Sequence, residues 1–248
     1  MKKKILHTEL VYDRELNLES LDKEHQLVLK LVGKKKDVLE IGCNTGYFTK
    51  LLVERECRVV GVELDIRAAE KAKNIASKVI VGDIEDDQTL NQINGKFDVI
   101  LFMHILEHLI DPWRVLAEVK KYLKKEGKSI IAIPNVACWS VRRALLFKGK
   151  FEYVDTGIFD RTHLRFFTFE TIQELIRQNG YQILNWQITC EVVPLAESMT
   201  SIPILRKLFP YWRSFMLNRY PNLCGSAFVF EVRPIDGGEN VNDQNKKM

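Results

Sequence analysis

Apolar runs of strand length, alternating with segments of helical spacing, constrain this chain more than any other feature. The runs are KDVLEI (36–41), RVVGVE (58–63), VIVGD (79–83), FDVILF (97–102) and SIIAIP (129–134). YFTKLLVERE, DIRAAEKAKNIAS and WRVLAEVKKYLKK fall between them with apolar residues every third or fourth position. Connections of that length cannot be hairpins, so the pattern predicts parallel βαβ units in an α/β, doubly wound sheet, with a ligand at the carboxyl ends of the strands. Asp111 and Pro112 read as the N-cap and first residue of the third of these helices, and Gly127 as its C-terminal stop.

The flanks are organised around this engine. A helix is expected from about Leu21 to Val32, within an N-terminal helical segment 1–34. Thr168 caps a helix FETIQELIRQN that Gly180 closes, and YQILNWQIT and SAFVFEVRP complete a seven-stranded, mostly parallel sheet with an antiparallel last strand. One domain, 1–235, is predicted, with a lid insertion at 135–167, a second insertion at 191–223 and a polar, disordered tail at 236–248.

Charge and cysteine usage narrow the partners. Thirty-seven Lys+Arg against 33 Asp+Glu leave a net +4, too modest for a dedicated nucleic-acid binder. Five cysteines without a CxxC pair fit a reducing cytoplasm. MKKKILHTEL breaks before any long apolar run, and 18 consecutive apolar residues occur nowhere, so neither a signal peptide nor a membrane span is expected.

The sharpest constellation is Glu40, Gly42, Asn44 and Gly46 at the first strand end, Glu63 at the second and Asp83 after the third. A glycine turn admits close backbone approach, a carboxylate at the next strand end accepts both hydroxyls of a ribose, and a further carboxylate suits an adenine amino group. The turn reads ExGxNxG rather than GxGxxG, which argues against a dinucleotide enzyme.

VLEIGCNTGYF, VVGVELD, VGDIED and the run from FDVILF to IAIPN resemble the successive motifs of class I S-adenosylmethionine-dependent methyltransferases over about residues 35–135. FDRTHLRFFTFETIQELI is similar to a segment of the subgroup acting on small metabolites, quinone precursors or glycans. The resemblance implies a Rossmann-like fold and S-adenosyl-L-methionine as cofactor. Gly42, Cys43, Asn44 and Gly46 would lie along its methionine and ribose part, with Glu40 at the amino end. Glu63 would take the ribose, Asp83 and Ile84 the adenine, and Met103 would sit near the methyl. Asn44 replaces the usual middle glycine, and asparagine tolerates the positive φ such a turn needs.

His104, Glu107 and His108 stand at i, i+3 and i+4 beyond the fourth strand, and His163 can fold back over them as a fourth ligand. ExxEH with a distant histidine is similar to the metal-binding pattern of small-RNA 2′-O-methyltransferases, and ExxEH alone to that of ubiquinone-type O-methyltransferases, with His104 in place of the first acid. That exchange favours Zn²⁺, Mn²⁺ or Fe²⁺ over Mg²⁺. Without a metal, His108 or His163 would act as general base, oriented by Glu107, or simply pack.

Arg142, Arg143, Lys148, Lys150, Arg161 and Arg165 are interleaved with Trp139, Phe147, Phe151, Tyr153 and Phe159 in the lid. They suit a phosphorylated or nucleotide-linked substrate, although most of the aromatics are expected to pack the lid onto the sheet. IPILRKLFPYWRSFMLNRYP contains a short amphipathic helix, Tyr211 to Arg219, open to three uses: a cap on the site, a homodimer contact or a membrane surface. The expected acceptor is a small molecule or glycan hydroxyl, with RNA as the same-chemistry alternative and a non-catalytic cofactor-binding subunit as the other.

Overall fold

The structure, a computed structural model, describes residues 21–235; the expected disordered tail from 236 lies outside the described residues. Its strands are β1 (Asp37–Ile41), β2 (Arg58–Glu63), β3 (Lys78–Val81), β4 (Phe97–Met103), β5 (Leu123–Pro134), β6 (Tyr181–Glu191) and β7 (Gly225–Pro234). They form one sheet in the order β3-β2-β1-β4-β5-β7-β6, in which β1 to β5 run parallel and β7 is antiparallel to both neighbours. The order reverses where β1 lies between β2 and β4, and there the crevice at the strand ends opens.

Helices cover both faces, which is why the central strands are apolar almost throughout. Alternate residues divide between two cores. Leu39, Ile41, Ile100, Phe102, Ile131 and Phe230 pack under α5 (Pro112–Val119) and α7 (Phe169–Gln178). Val38, Val59, Val99, Leu101 and Val229 pack under α1 (Lys23–Val32) and α2 (Tyr47–Val53) on the other face. The helix starts carry the expected caps: Asp111 Oδ1 accepts the Arg114 amide at 3.0 Å, and Thr168 and Thr171 form a reciprocal capping box. Two short helices, α3 (Ile66–Ala72) and α4 (Asp87–Leu90), complete the first half.

Three elements differ from the sequence expectation. α5 stops at Val119, a 3₁₀ turn follows over Lys120–Tyr122, and Gly127 lies inside β5 rather than at a helix end. A Cβ at Gly127 would stand 2.9 Å from both the Lys124 and Phe97 carbonyl oxygens, so the glycine serves an irregular strand pairing. The lid contains α6 (Trp139–Lys148), whose only buried residue is Val141, so it lacks the periodicity that would announce it. Its aromatics Phe147, Phe151 and Tyr153 are exposed, and Phe151 packs against Phe159 at 4.4 Å between ring centroids rather than onto the sheet. The second insertion forms α8 (Ala196–Ser201), α9 (Pro203–Arg219) and α10 (Pro221–Cys224), and α9 runs through Pro210 instead of starting beyond it.

Candidate active site

The turn after β1 is built to hold a carboxylate at the end of β2. Gly42 (φ 74°) and Asn44 (φ 49°) both adopt the left-handed region, which sends the Asn44 amide toward Glu63 Oε2 at 2.8 Å. Glu63 Oε1 accepts the Asp65 amide at 2.8 Å, so two backbone donors fix this carboxylate at the strand end. Burial raises the Glu63 carboxyl against the pull of these amides. Asp83 Oδ1 accepts the Glu85 amide at 3.0 Å in the corresponding place after β3.

A cavity of about 550 Å³ opens along these strand ends, and Gly42, Asn44, Glu63, Asp83, Ile84 and Met103 line its first half. Glu40, Cys43 and Gly46 stand behind that wall. Glu40 is buried and accepts the Thr49 hydroxyl at 2.6 Å, and burial pushes its carboxyl up to about 8. Cys43 fills the space left open by Gly61, and a Cβ on Gly46 would lie 3.1 Å from Ala72 Cα.

The second half of the cavity gathers the residues that follow β4 and those of the lid. Leu164 and Arg165 donate their amides to the Glu107 carbonyl at 2.8 and 3.0 Å, and this anchor brings His163 against His108, ring centroids 4.7 Å apart. Ile158 offers only a carbonyl to His163 Nδ1, at 2.9 Å, so that nitrogen carries the proton. The Thr162 hydroxyl donates to Asp160 Oδ1 at 2.7 Å and therefore accepts from His108 Nδ1 at 3.0 Å. Both rings thus keep Nε2 as the acceptor nitrogen. Burial lowers the His108 pKa against the opposing charge of Glu107, leaving a neutral ring at neutral pH.

Glu107 is 1% exposed, and among the described residues neither of its carboxylate oxygens has a hydrogen-bond partner. Burial raises its pKa, but His104, His108 and His163 outweigh that and hold it below the usual carboxylate range. One ligand atom from each of Glu107, His108 and His163 lies within 4.8 Å of the others. A buried carboxylate beside two imidazoles is a donor set that could hold a divalent cation.

His104 is turned to a different task. Its backbone is held at φ 52°, with Nε2 2.6 Å from Glu24 Oε1 and Nδ1 3.4 Å from Glu107 Oε1, an ion pair rather than a formed hydrogen bond. Burial disfavours its charge, but Glu24 and Glu107 raise the imidazole well above its ordinary range. Glu24 also accepts the Thr189 hydroxyl at 2.7 Å; burial would lift its carboxyl, yet His104 and Thr189 bring it down to about 2. Sequence reasoning missed Glu24, which lies 80 residues from its partner and reads locally only as an acid in a helix's first turn.

Comparison with known proteins gives this geometry a context. A family model described as a methyltransferase domain matches residues 12–185, well over half of the chain. The chain is 30% identical over 115 residues to a ubiquinone biosynthesis O-methyltransferase of Coxiella burnetii, covering 45% of this chain and 47% of that one. It is 31% identical over 128 residues to a tRNA U34 carboxymethyltransferase of Campylobacter fetus, covering 47% of this chain and 45% of that one, so it spans about half the length of these relatives. The crystal structure of a SAM-dependent methyltransferase from Archaeoglobus fulgidus shares the fold, with a TM-score of 0.60 at 18% identity over 84% of this chain and 90% of that one.

Proposed function

Because this chain belongs to the class I S-adenosylmethionine-dependent methyltransferases, we propose that it methylates an oxygen or nitrogen atom of a small-molecule or glycan acceptor bound beside Glu107, His108 and His163. The first half of the cavity fits the cofactor. A carboxylate preset by two amides at the end of β2 suits paired hydroxyls, Asp83 suits an amino group, and a Cβ on Gly42 would come within 2.9 Å of Ile105 Cδ1 at the exit of β4. S-adenosylmethionine, when bound, supplies a methyl group activated by a positively charged sulfur.

The chain's own residues then have two tasks. Glu63, Asp83 and the 42–46 turn hold the donor half in one orientation, and most of the acceleration of an in-line transfer comes from such positioning. His108, neutral and fixed through Thr162 and Asp160, offers Nε2 to the acceptor's proton. Glu24 and His104, both on the cavity lining, hold each other in place.

The finer reading adds a divalent cation on Glu107, His108 and His163, carried by the two buried Glu107 oxygens, neither of which has a hydrogen-bond partner among the described residues. Such an ion lowers the pKa of a hydroxyl it contacts, which suits an oxygen acceptor. The Coxiella relative, named for O-methyl transfer, supports the same acceptor atom. The tRNA-directed relative keeps RNA as the second reading.

The test is transfer of radiolabelled methyl from S-adenosylmethionine into host extract, separated into lipid, aqueous small-molecule, RNA and protein fractions and run with and without a chelator. Label in the aqueous small-molecule or lipid fraction, abolished by chelation and restored by Zn²⁺, Mn²⁺ or Fe²⁺, is expected. Label confined to RNA refutes the acceptor, and chelator-resistant transfer refutes the metal.

A further inference from the structure

Two helices that follow strands lining the cavity each bury a single residue and leave several large apolar side chains exposed. On α9, Leu205, Phe209, Trp212 and Met216 recur at helical spacing and face the domain; Met216 is buried and the other three are partly so. The adjoining stripe, Ile204, Leu208, Tyr211 and Phe215, has the same spacing and is 72, 54, 77 and 53% exposed. α6 ends in Leu145, Leu146 and Phe147, the last two 75 and 70% exposed. Contiguous patches of this kind mark interaction sites, unlike single exposed apolar residues.

Topology puts both helices at one end of the sheet, beyond the carboxyl ends of β5 and β6. α6 follows the end of β5, whereas α8 to α10 join the end of β6 to the start of β7, and Pro134 and Cys190 both pair with Ala227. Asn135 ties the two insertions together, donating to the Asn222 and Gly225 carbonyls at 2.7 and 2.6 Å.

Within the two helices themselves the charge has one sign. No acid occurs between Glu126 and Glu152 or between Glu197 and Glu231; Arg142, Arg143 and Lys148 lie on α6 and Arg206, Lys207, Arg213 and Arg219 on α9, with Arg213 paired to Glu191 and Lys150, just after α6, paired to Glu152. We propose that α6 and α9 form a docking surface for an anionic lipid bilayer, from which the acceptor enters the cavity. The entry of the acceptor rests on the methyl-transfer reading; the surface does not. Leu146, Ile204 and Leu208 offer no ring for base stacking and need an apolar phase, which separates this surface from an RNA-binding one. A two-fold interface between copies would set the cations of these two acid-free helices against one another.

The full chain is sedimented with phosphatidylcholine vesicles, alone and with about a third phosphatidylglycerol, at low and physiological salt. It is expected to partition onto the anionic vesicles, less at higher salt. Phe147→Glu with Ile204→Glu, and separately Arg143→Glu with Lys207→Glu, should each reduce partitioning roughly tenfold or more. All four residues are exposed and outside the cavity, so circular dichroism and S-adenosylmethionine binding should be unchanged. The proposal is overturned by a wild type that ignores anionic vesicles, or by partitioning that both variants retain. It is equally overturned by variants that only convert a dimer to a monomer, or that lose single-stranded RNA binding where vesicles were never bound. Cofactor binding is read separately, so a failed sedimentation leaves methyl transfer standing and the reverse also holds.

Discussion

Glu40 sets a pH dependence that belongs to one side chain. Its folded pKa of about 8 lies above the ordinary value of about 4.3, so the folded state keeps a proton that the unfolded chain releases. The sign follows: its contribution to stability is fully present below about pH 4.3, falls as pH rises, and is exhausted above about 8. Urea midpoints between those limits should decline more steeply for wild type than for Glu40→Gln, and parallel curves would refute the assignment. Glu63→Ala and Asp83→Ala should weaken S-adenosylmethionine binding roughly 10- to 100-fold each, the worth of a hydrogen bond to a charged group. His108→Ala should leave that binding intact and abolish turnover; calorimetry and the transfer assay separate the two, and equal loss of binding in all three refutes the division of roles. Glu63 and Asp83 were legible because strand ends fix where their side chains emerge. Asn44 was legible because few other residues accept φ 49°. Glu24 was not, because a pair formed between residues 80 apart leaves no local pattern.

Among the elements, the first turn packs closely on the end of α3. Gly46 has φ 82°, and a Cβ there would meet both Ala72 Cα and Ile75 Cδ1 at 3.1 Å. Gly46→Ala should therefore destabilise the protein by about 1–3 kcal/mol, read as a lower denaturation midpoint, whereas Gly149→Ala, with nothing within 4 Å of its Cβ, should lose less. The parallel strands and their crossover helices could be read from the sequence because burial on both faces leaves uninterrupted apolar runs. α6 could not, since it buries one residue, and α9 was shortened because Pro210 normally breaks a helix. Gly127 misled because lysines followed by glycine resemble a helix stop, while the carbonyls of Lys124 and Phe97 show that the crowding is between strands.

At the scale of the molecule, the metal reading couples the lid to the sheet. Glu107 and His108 belong to the segment after β4, whereas His163 comes from the lid, so one ion would tie the two together. Zn²⁺ or Mn²⁺ should raise the melting temperature of wild type, as expected of a ligand that binds only the folded state, with about 2.7 kcal/mol gained at a hundredfold excess over Kd. His163→Ala should lose that rise while keeping its fold by circular dichroism; an equal rise in both would place the ion elsewhere.

The position of β7 has a consequence for how the protein is made. The last strand in chain order among the described residues is not an edge strand: it lies between β5 and β6, with Phe228, Phe230 and Val232 in one core and Val229 in the other. While the ribosome is still adding residues before Gly225, β5 and β6 have no partner on the sides where β7 will lie, and apolar strand edges left open recruit other chains. Ser226 and Ala227 of the cavity wall arrive with the same strand. A nascent or prematurely terminated chain is therefore a natural client for chaperones and proteases, and a completed wall marks a chain that has passed that stage.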